Sequence, residues 1–444
     1  NVMRTIFSII FGKFFIFLSH FLNLGSGSTW PGHIALKLNP NFIKDLLRSD
    51  PRGRKLKIII IAGTNGKTTT GRLITSIIRE NNKTFLQNKA GANLLNGLAS
   101  TIVRGANVGG KLKQDYLIFE SDENVLAKVI EQTNPDYVIC LNLFRDQLDR
   151  YGEIDSIAKK WHTSFEKLNS NTTLILNADD PQIAYLSKNT KAKSLYLGLS
   201  SNNGKEKTQH GADSTHCPNC SIKLEYKSVY FSHLGDWECP NCKLKRPKTD
   251  ISELTYYPLD GTYNKYNALA ASLFATNESI GQDKIQQSFN IFTPAFGRQE
   301  KISYKGKSVQ IFLSKNPTSF NESLSTIKEL GGKNLLILLN DRIPDGLDVS
   351  WIWDINFEDI LDKKFNIAVS GDRIYDMALR LKYAEQFTHV EPDPSIALDK
   401  MVDSLESKET LFILPNYSAM LDIRKILTGR KILYSRYIGI FGVA

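Results

Sequence analysis

Ile58-Ile59-Ile60-Ile61 runs straight into Ala62-Gly63-Thr64-Asn65-Gly66-Lys67-Thr68-Thr69-Thr70, and the two halves of that stretch ask for different structures. Four consecutive isoleucines suit a strand buried on both faces, as in a parallel sheet covered by helices. After the glycine-containing segment, Leu73, Ile74, Ile77 and Ile78 recur at helical spacing. Strand, loop and helix in that order form a phosphate loop, in which backbone N–H groups at the helix N-terminus cradle phosphates. Lys67 then reaches the β/γ oxygens, and the Thr68 hydroxyl takes a position on Mg²⁺. Gly63, Thr64, Asn65, Gly66 and Thr69 complete the candidate nucleotide-binding set. The strict G-x-x-x-x-G-K-[ST] spacing is not met, because Ile61 stands where the first glycine would be. A chance turn containing Gly-Lys is the competing reading, and the flanking strand and helix argue against it.

Outward from this loop, apolar runs at Lys57–Ala62, Tyr116–Phe119, Tyr137–Leu143 and Thr173–Leu176 are separated by several amphipathic stretches. That alternation predicts a mostly parallel α/β sheet with helices on both faces. A polar stretch, Ser200 to Ser214, leads to a cysteine-rich segment ending near Lys248, and a helical pattern resumes at Asn264–Ala275. Beyond Arg298 the alternation restarts, with strand candidates Asn334–Leu339, Asn366–Ser370 and Leu411–Leu414. Helical patterns lie between them at Asn321–Leu330, Arg373–Ala384 and Ser395–Leu405. The expected organisation is a hydrophobic N-terminal segment over 1–40 and a P-loop ATPase domain over 41–298. A small ribbon interrupts the latter at about 211–249, and a smaller, Rossmann-like α/β domain follows over 299–444.

The 444 residues carry 41% hydrophobic and 23% charged side chains, enough apolar content for a large core and unlike a disordered chain. Lys plus Arg number 56 against 46 Asp plus Glu, a net +10. This mild basic bias suits a phosphorylated substrate or an anionic surface better than a nucleic-acid duplex. The five cysteines are too few to staple a chain this long, which excludes a secreted disulfide protein. Ile6 to Leu24 is rich in Phe, Ile and Leu, interrupted by Lys13. It is read first as a helix lying on a membrane or packed on its own domain, then as a membrane anchor, then as a signal sequence. The nucleotide and cysteine motifs favour the cytoplasm, with peripheral association at the inner face of its membrane.

Four cysteines fall into Cys217-Pro218-Asn219-Cys220 and Cys239-Pro240-Asn241-Cys242, two CxxC pairs with 18 residues between them. Paired knuckles of this kind hold a structural Zn²⁺ through four thiolates, with no ligand position left for catalysis. Cys140 lies in an apolar run and reads as a core residue. Glu120, Asp122 and Glu123 end another such run, and carboxylates at the C-terminal ends of parallel strands face the ligand crevice. Mg²⁺ there would take one or two carboxylates plus phosphate oxygens and water.

Five segments, in order, resemble the Mur ligases. They are AGTNGKTTT at 62–70, the FRDQLDR run at 144–150 (which keeps the pattern only in part), Leu176-Asn177-Ala178-Asp179-Asp180-Pro181, the helix start Gly261-Thr262-Tyr263-Asn264-Lys265-Tyr266-Asn267-Ala268, and Phe296-Gly297-Arg298. The resemblance implies ATP-dependent ligation through an acyl-phosphate, with Glu120 on Mg²⁺ and Asp122 or Glu123 as neighbouring candidates. It also places Asn264 and Asn267 near the base and Arg298 on the ribose or phosphates, although helix capping would also explain the two asparagines. Lys315, in Ser314-Lys315-Asn316-Pro317, matches a phosphate-region lysine of the family. Two departures stand out. Gln147 replaces a histidine that serves a second Mg²⁺, and the family's modified lysine has only Lys159 and Lys160 as nearby candidates.

Ordinary Mur ligases lack the cysteine insertion. An inserted ribbon together with FRDQLDR is similar to one subgroup, the MurT-type subunits of lipid II isoglutaminyl synthase. These imply amidation of the D-glutamate α-carboxyl of the lipid II stem peptide, with ammonia supplied by a GatD-type glutamine amidotransferase partner. In that subgroup the segment Asp345-Gly346-Leu347-Asp348-Val349-Ser350-Trp351-Ile352 meets the partner, and Asp348 is implied to complete its Cys–His pair. On residue content alone, Trp351 and Trp353 make that loop either a binding surface or a packed core loop. Two other activities fit the motifs: a stand-alone amino-acid ligase of Mur or folylpolyglutamate type, and a zinc-ribbon ATPase binding nucleic acid. The first would release ADP in response to an amino acid without a partner, and the second would show steeply salt-dependent nucleic-acid affinity.

Overall fold

The computed structural model describes residues 2–21, 29–49, 56–88, 91–145, 154–200 and 213–429. The chain divides into two compact units, Asn1–Ala295 and Phe296–Ala444.

The first unit is built on strands β1 (Lys57–Ala62), β2 (Phe85–Gln87), β3 (Tyr116–Glu120), β4 (Tyr137–Cys140), β5 (Thr173–Asn177) and β6 (Lys193–Leu197). They pair in the order β2-β3-β1-β4-β5-β6, and every pairing is parallel. Helices α1 (Val2–Phe21), α2 (Trp30–Leu38), α3 (Phe42–Ser49), α4 (Lys67–Glu80), α5 (Leu95–Gly105) and α6 (Leu126–Thr133) cover it, with further helices at Ile154–Phe165, Pro181–Tyr185, Thr262–Asn277 and Gln282–Asn290.

The isoleucine run explains the layering. Side chains alternate along a strand, so Ile58 and Ile60 enter one core with Phe42 and Ile43 of α3 and Leu98 of α5. Ile59 and Ile61 enter the other, with Leu73 and Ile74 of α4 and with Leu269 and Phe274 of the helix Thr262–Asn277. β1 is therefore covered on both sides. Its carboxyl end lies between those of β3 and β4, where the chain order reverses and ligands bind in open α/β sheets.

β4 stops at Cys140, earlier than the apolar run through Leu143, because Leu141–Leu143 leave the sheet toward the phosphate loop. β2 and β6 escaped the sequence reading. Both are short and only partly buried for most of their length, so neither shows an apolar run.

An antiparallel hairpin, β7 (Glu225–Phe231) and β8 (Leu234–Glu238), stands apart from the main sheet. Among the described residues no helix is long and apolar enough to cross a membrane.

The second unit carries β9 (Arg298–Tyr304), β10 (Lys307–Phe312), β11 (Asn334–Leu338), β12 (Asn366–Ser370), β13 (Thr388–Val390) and β14 (Thr410–Pro415). Their order is β13-β12-β11-β14-β10-β9, parallel except for β9. β11, β12 and β14 lie where the apolar runs predict strands. The β9–β10 hairpin was not anticipated, although Lys305 and Gly306 supply the two positive-φ residues that a tight two-residue turn requires (48° and 74°).

Candidate active site

The phosphate loop leaves β1 at Ala62 and becomes α4 at Lys67. Gly66 is the helix N-cap, with φ 92°, a conformation open to glycine. A β-carbon there would stand 2.2 Å from Asn267 Oδ1, and one on Gly63 would stand 3.1 Å from the backbone of Asn142. Both glycines are thus required by backbone conformation and by close neighbours.

The segment after β4 clamps the loop. Thr64 N–H donates to Asn142 O at 3.1 Å. Asn65 N–H donates to Asn142 Oδ1 at 2.9 Å, and Asn142 Nδ2 returns a bond to Asn65 O at 3.1 Å. The Thr64 hydroxyl donates to Phe144 O and accepts from Phe144 N–H at 3.1 and 3.0 Å. No sequence motif marks Asn142. Its contact depends on the pairing of β1 with β4, which no local pattern states.

The predicted carboxylates fall on this loop and divide between its two functional side chains. The Thr68 hydroxyl donates to Glu120 Oε2 at 2.6 Å. Lys67 Nζ meets Glu123 Oε1 at 3.1 Å and also donates to Gly63 O and Thr64 O. Glu120, Asp122 and Glu123 are all buried. Asn88 holds the end of β3 by exchanging two hydrogen bonds of 2.9 Å with the backbone of Glu120, while Gln87 Nε2 donates to Glu120 Oε1 at 3.1 Å. A hydroxyl and a carboxylate oxygen converge at a helix N-terminus, a donor set that suits Mg²⁺. Asp122 instead accepts from Asn124 N–H in a local turn.

Asn264 and Asn267 come to the same place. Gly261, not an asparagine, is the N-cap of the helix Thr262–Asn277. Asn267 Oδ1 accepts from Thr70 of α4 at 3.2 Å, and its Nδ2 donates to Asn264 Oδ1 at 3.1 Å. The pair forms one wall of the loop, and capping does not account for it. Lys159 and Lys160 are exposed on the helix Ile154–Phe165, and Gln147 lies outside the described residues. Cys140 is fully buried, and burial pushes its thiol far above the usual range, in keeping with a core residue.

Cys217, Cys220, Cys239 and Cys242 are free thiols whose sulfurs lie within 4.8 Å of one another. The closest approaches are 3.5 Å for Cys217–Cys242 and 3.4 Å for Cys220–Cys239. A tetrahedral Zn²⁺ with Zn–S bonds of about 2.3 Å has S···S edges of about 3.8 Å, so the four sulfurs could hold one.

This module docks on the end of β5. Arg246 pairs with Asp179 at 2.5 Å, Tyr266 donates to the same carboxylate at 2.8 Å, and Trp237 Nε1 donates to Ala178 O at 3.0 Å. Burial pushes Asp179 up to about 6, against the opposing pull of the Arg246 charge. His233 Nε2 stands 3.4 Å from Asp180 Oδ2, both fully buried. The His233 ring lies 4.9 Å from that of Phe144, the residue that holds Thr64. Packed contacts therefore run from the hairpin to the phosphate loop.

In the second unit, Arg298 opens β9, and Lys315 follows the carboxyl end of β10, just before the capping box at Asn316. Asp348 is exposed on the loop after β11, where it accepts from Ser350 N–H at 2.8 Å, and that bond holds its carboxyl below the ordinary value. The two tryptophans divide the alternatives between them. Trp351 packs on Phe320 within the core, whereas Trp353 is half-exposed beside Tyr383 and Arg380.

Residues 61–275 match the Mur ligase middle domain, and residues 313–420 match the MurT ligase C-terminal domain. The MurT subunit of lipid II isoglutaminyl synthase (glutamine-hydrolyzing) from Streptococcus pneumoniae is 31% identical, over 97% of this chain and 98% of that one. This chain belongs to the MurT family. The Staphylococcus aureus MurT subunit is also 31% identical, over 89% of this chain and 91% of its own. Among solved structures, a pseudomurein peptide ligase type C from Methanothermus fervidus superposes with a TM-score of 0.64 at 22% identity, covering 89% of this chain and 84% of that one. That likeness speaks for the Mur-ligase-like α/β fold with its C-terminal domain. The phosphate loop, the carboxylates and the cysteine module thus lie in a MurT chain, and the paired glutamine chemistry belongs to the names of its relatives.

Proposed function

We propose that this chain is the synthetase subunit that amidates the D-glutamate α-carboxyl of the lipid II stem peptide, using ATP and ammonia. The observation that carries the proposal is the identity to MurT subunits across nearly the full length of both chains. The convergence of Lys67, Thr68, Glu120 and Asn267 on one helix N-terminus supports it.

In this reading the substrate carboxylate attacks the γ-phosphorus of ATP, ADP leaves, and an acyl-phosphate forms. Ammonia then attacks the acyl carbon, phosphate departs, and the amide remains. The activation is needed because a carboxylate is not an electrophile toward ammonia at neutral pH. Backbone N–H groups of residues 63–68 hold the phosphates, and Lys67 turns from Glu123 to the transferring oxygens, where charge develops. Thr68 and Glu120 would hold Mg²⁺, which would supply positive charge to offset the negative charge of the phosphates. Asn264 and Asn267 line the base side, with Arg298 and Lys315 as ribose and phosphate contacts.

The four cysteines would hold a structural Zn²⁺ and so make the inserted module a ribbon over about 211–249 of an ATPase domain spanning 41–298. Residues 1–40 precede that domain, and 299–444 form the ligase domain. A GatD-type amidotransferase would supply the ammonia, with Asp348 completing that partner's Cys–His pair. The site of action is the cytoplasm, at the inner face of the membrane that carries lipid II.

Incubating the chain with ATP, Mg²⁺, ammonium and lipid II, followed by mass spectrometry of the stem peptide, tests the chemistry. Amide formation that depends on ATP supports it. ADP release that instead requires an added amino acid would replace it with an amino-acid ligase.

A further inference from the structure

Helix α1 is inside out. The side that meets the protein is small and polar, with Thr5, Ser8 and Gly12 buried beside Ile9. A β-carbon on Gly12 would stand 2.8 Å from Val103 of α5, so the close approach there requires glycine. The outward side carries Phe7, Ile10, Phe11, Phe14, Phe15 and Phe17, between 38% and 68% exposed. Soluble surfaces rarely expose an apolar patch so continuous, and one this aromatic marks an interaction surface.

We propose that this outward face of α1 is the surface by which the chain docks on an anionic lipid bilayer, lying in the plane of the headgroups. The inference rests on the lipid-linked substrate of the proposed function. Two observations select lipid over a protein partner. Every exposed position of the helix from Phe7 to Phe17 is apolar, and five of those six are phenylalanine, so no polar residue there orients a protein partner. Two cations adjoin the face: exposed Arg4 stands at its N-terminal end, in line with Phe11 and Phe15, and half-buried Lys13 runs along one side, reaching Arg104 O at 3.5 Å. On a chain of net +10, such a border draws the helix to anionic headgroups while the rings enter the acyl boundary. The helix is not long and apolar enough to cross the bilayer, and small residues on its inner side keep it attached to its own domain.

The test is flotation of the full chain with vesicles of phosphatidylglycerol and phosphatidylcholine, beside the double variant Phe11→Ser/Phe14→Ser. Both substitutions fall on exposed positions, and an unchanged thermal midpoint verifies the fold. The parent should float with the vesicles, and the double variant should lose affinity by about tenfold or more. Arg4→Ala should weaken binding less and flatten its salt dependence. A parent that stays with the soluble fraction overturns the proposal, as does a double variant that floats equally well. A molar mass in solution that halves in the variant also overturns it, since the face would then join two copies. Amidation of a soluble stem peptide without the lipid tail, measured in parallel, reads the chemistry separately and should be equal in parent and variant.

Discussion

Lys67 is held by Glu123 and by carbonyls of its own loop, contacts that position the ammonium but contribute nothing to the core. Lys67→Ala should therefore lower ATP turnover by about 10²–10³-fold with an unchanged thermal midpoint, and normal ADP release by the folded variant would remove Lys67 from the chemistry. Gly66→Ala acts differently. It forces a side chain into φ 92° and into contact with Asn267, at a cost of about 1–3 kcal/mol. Calorimetric titration should show weakened nucleotide binding, and parental affinity would mean that the loop readily adopts another path. The residues of the loop were legible because strand, glycine and helix signals lie side by side in the chain. Asn142 and Asn88 were not, because each acts through strand pairing: Asn142 clamps a loop 77 residues away, and Asn88 holds a strand end 32 residues away.

At the scale of elements, the cysteine hairpin and the sheet make separate predictions. Cys242→Ser should release one Zn²⁺ per chain and loosen the hairpin, because metal binding and folding share one free energy in such modules. Elemental analysis of the parent without zinc would dismiss the metal altogether. The CxxC spacing made this element readable, whereas its docking through Arg246, Trp237 and His233 followed no motif. The opposite end of the sheet is tied by Glu278, which accepts from Lys57 at 2.6 Å, Tyr116 at 2.7 Å and Tyr137 at 2.5 Å. Burial alone would raise this carboxyl, but those bonds more than offset it and hold it below the ordinary value. An acid depressed in the folded state adds stability above its unfolded pKa and loses it as pH falls through the folded one. Glu278→Gln should thus cost about 2 kcal/mol at pH 7, and the gap to the parent should close below about pH 4. A gap independent of pH would show that packing, rather than charge, sets the loss.

For the whole molecule, the division of labour between amide transfer and ammonia supply can be separated at Asp348. If Asp348 orients the partner's histidine, Asp348→Asn should cripple glutamine-dependent amidation by the reconstituted pair and spare the reaction with excess ammonium. Equal loss in both assays, or in neither, takes Asp348 out of the mechanism. The two-domain α/β plan was legible because buried parallel strands read as apolar runs. The β9–β10 edge was hidden because a half-exposed antiparallel strand such as Lys301–Tyr304 alternates with polar residues. The wall that Asn267 builds on the phosphate loop has a consequence for synthesis. Thr70 and Asn267 are 197 residues apart, so at about 5–20 residues per second a ribosome needs about 10–40 s to travel between them. During that interval the loop exists without its wall, and the cysteine hairpin is translated before the wall arrives. A nascent chain therefore reaches its complete phosphate-loop wall only after the cysteine module has been made.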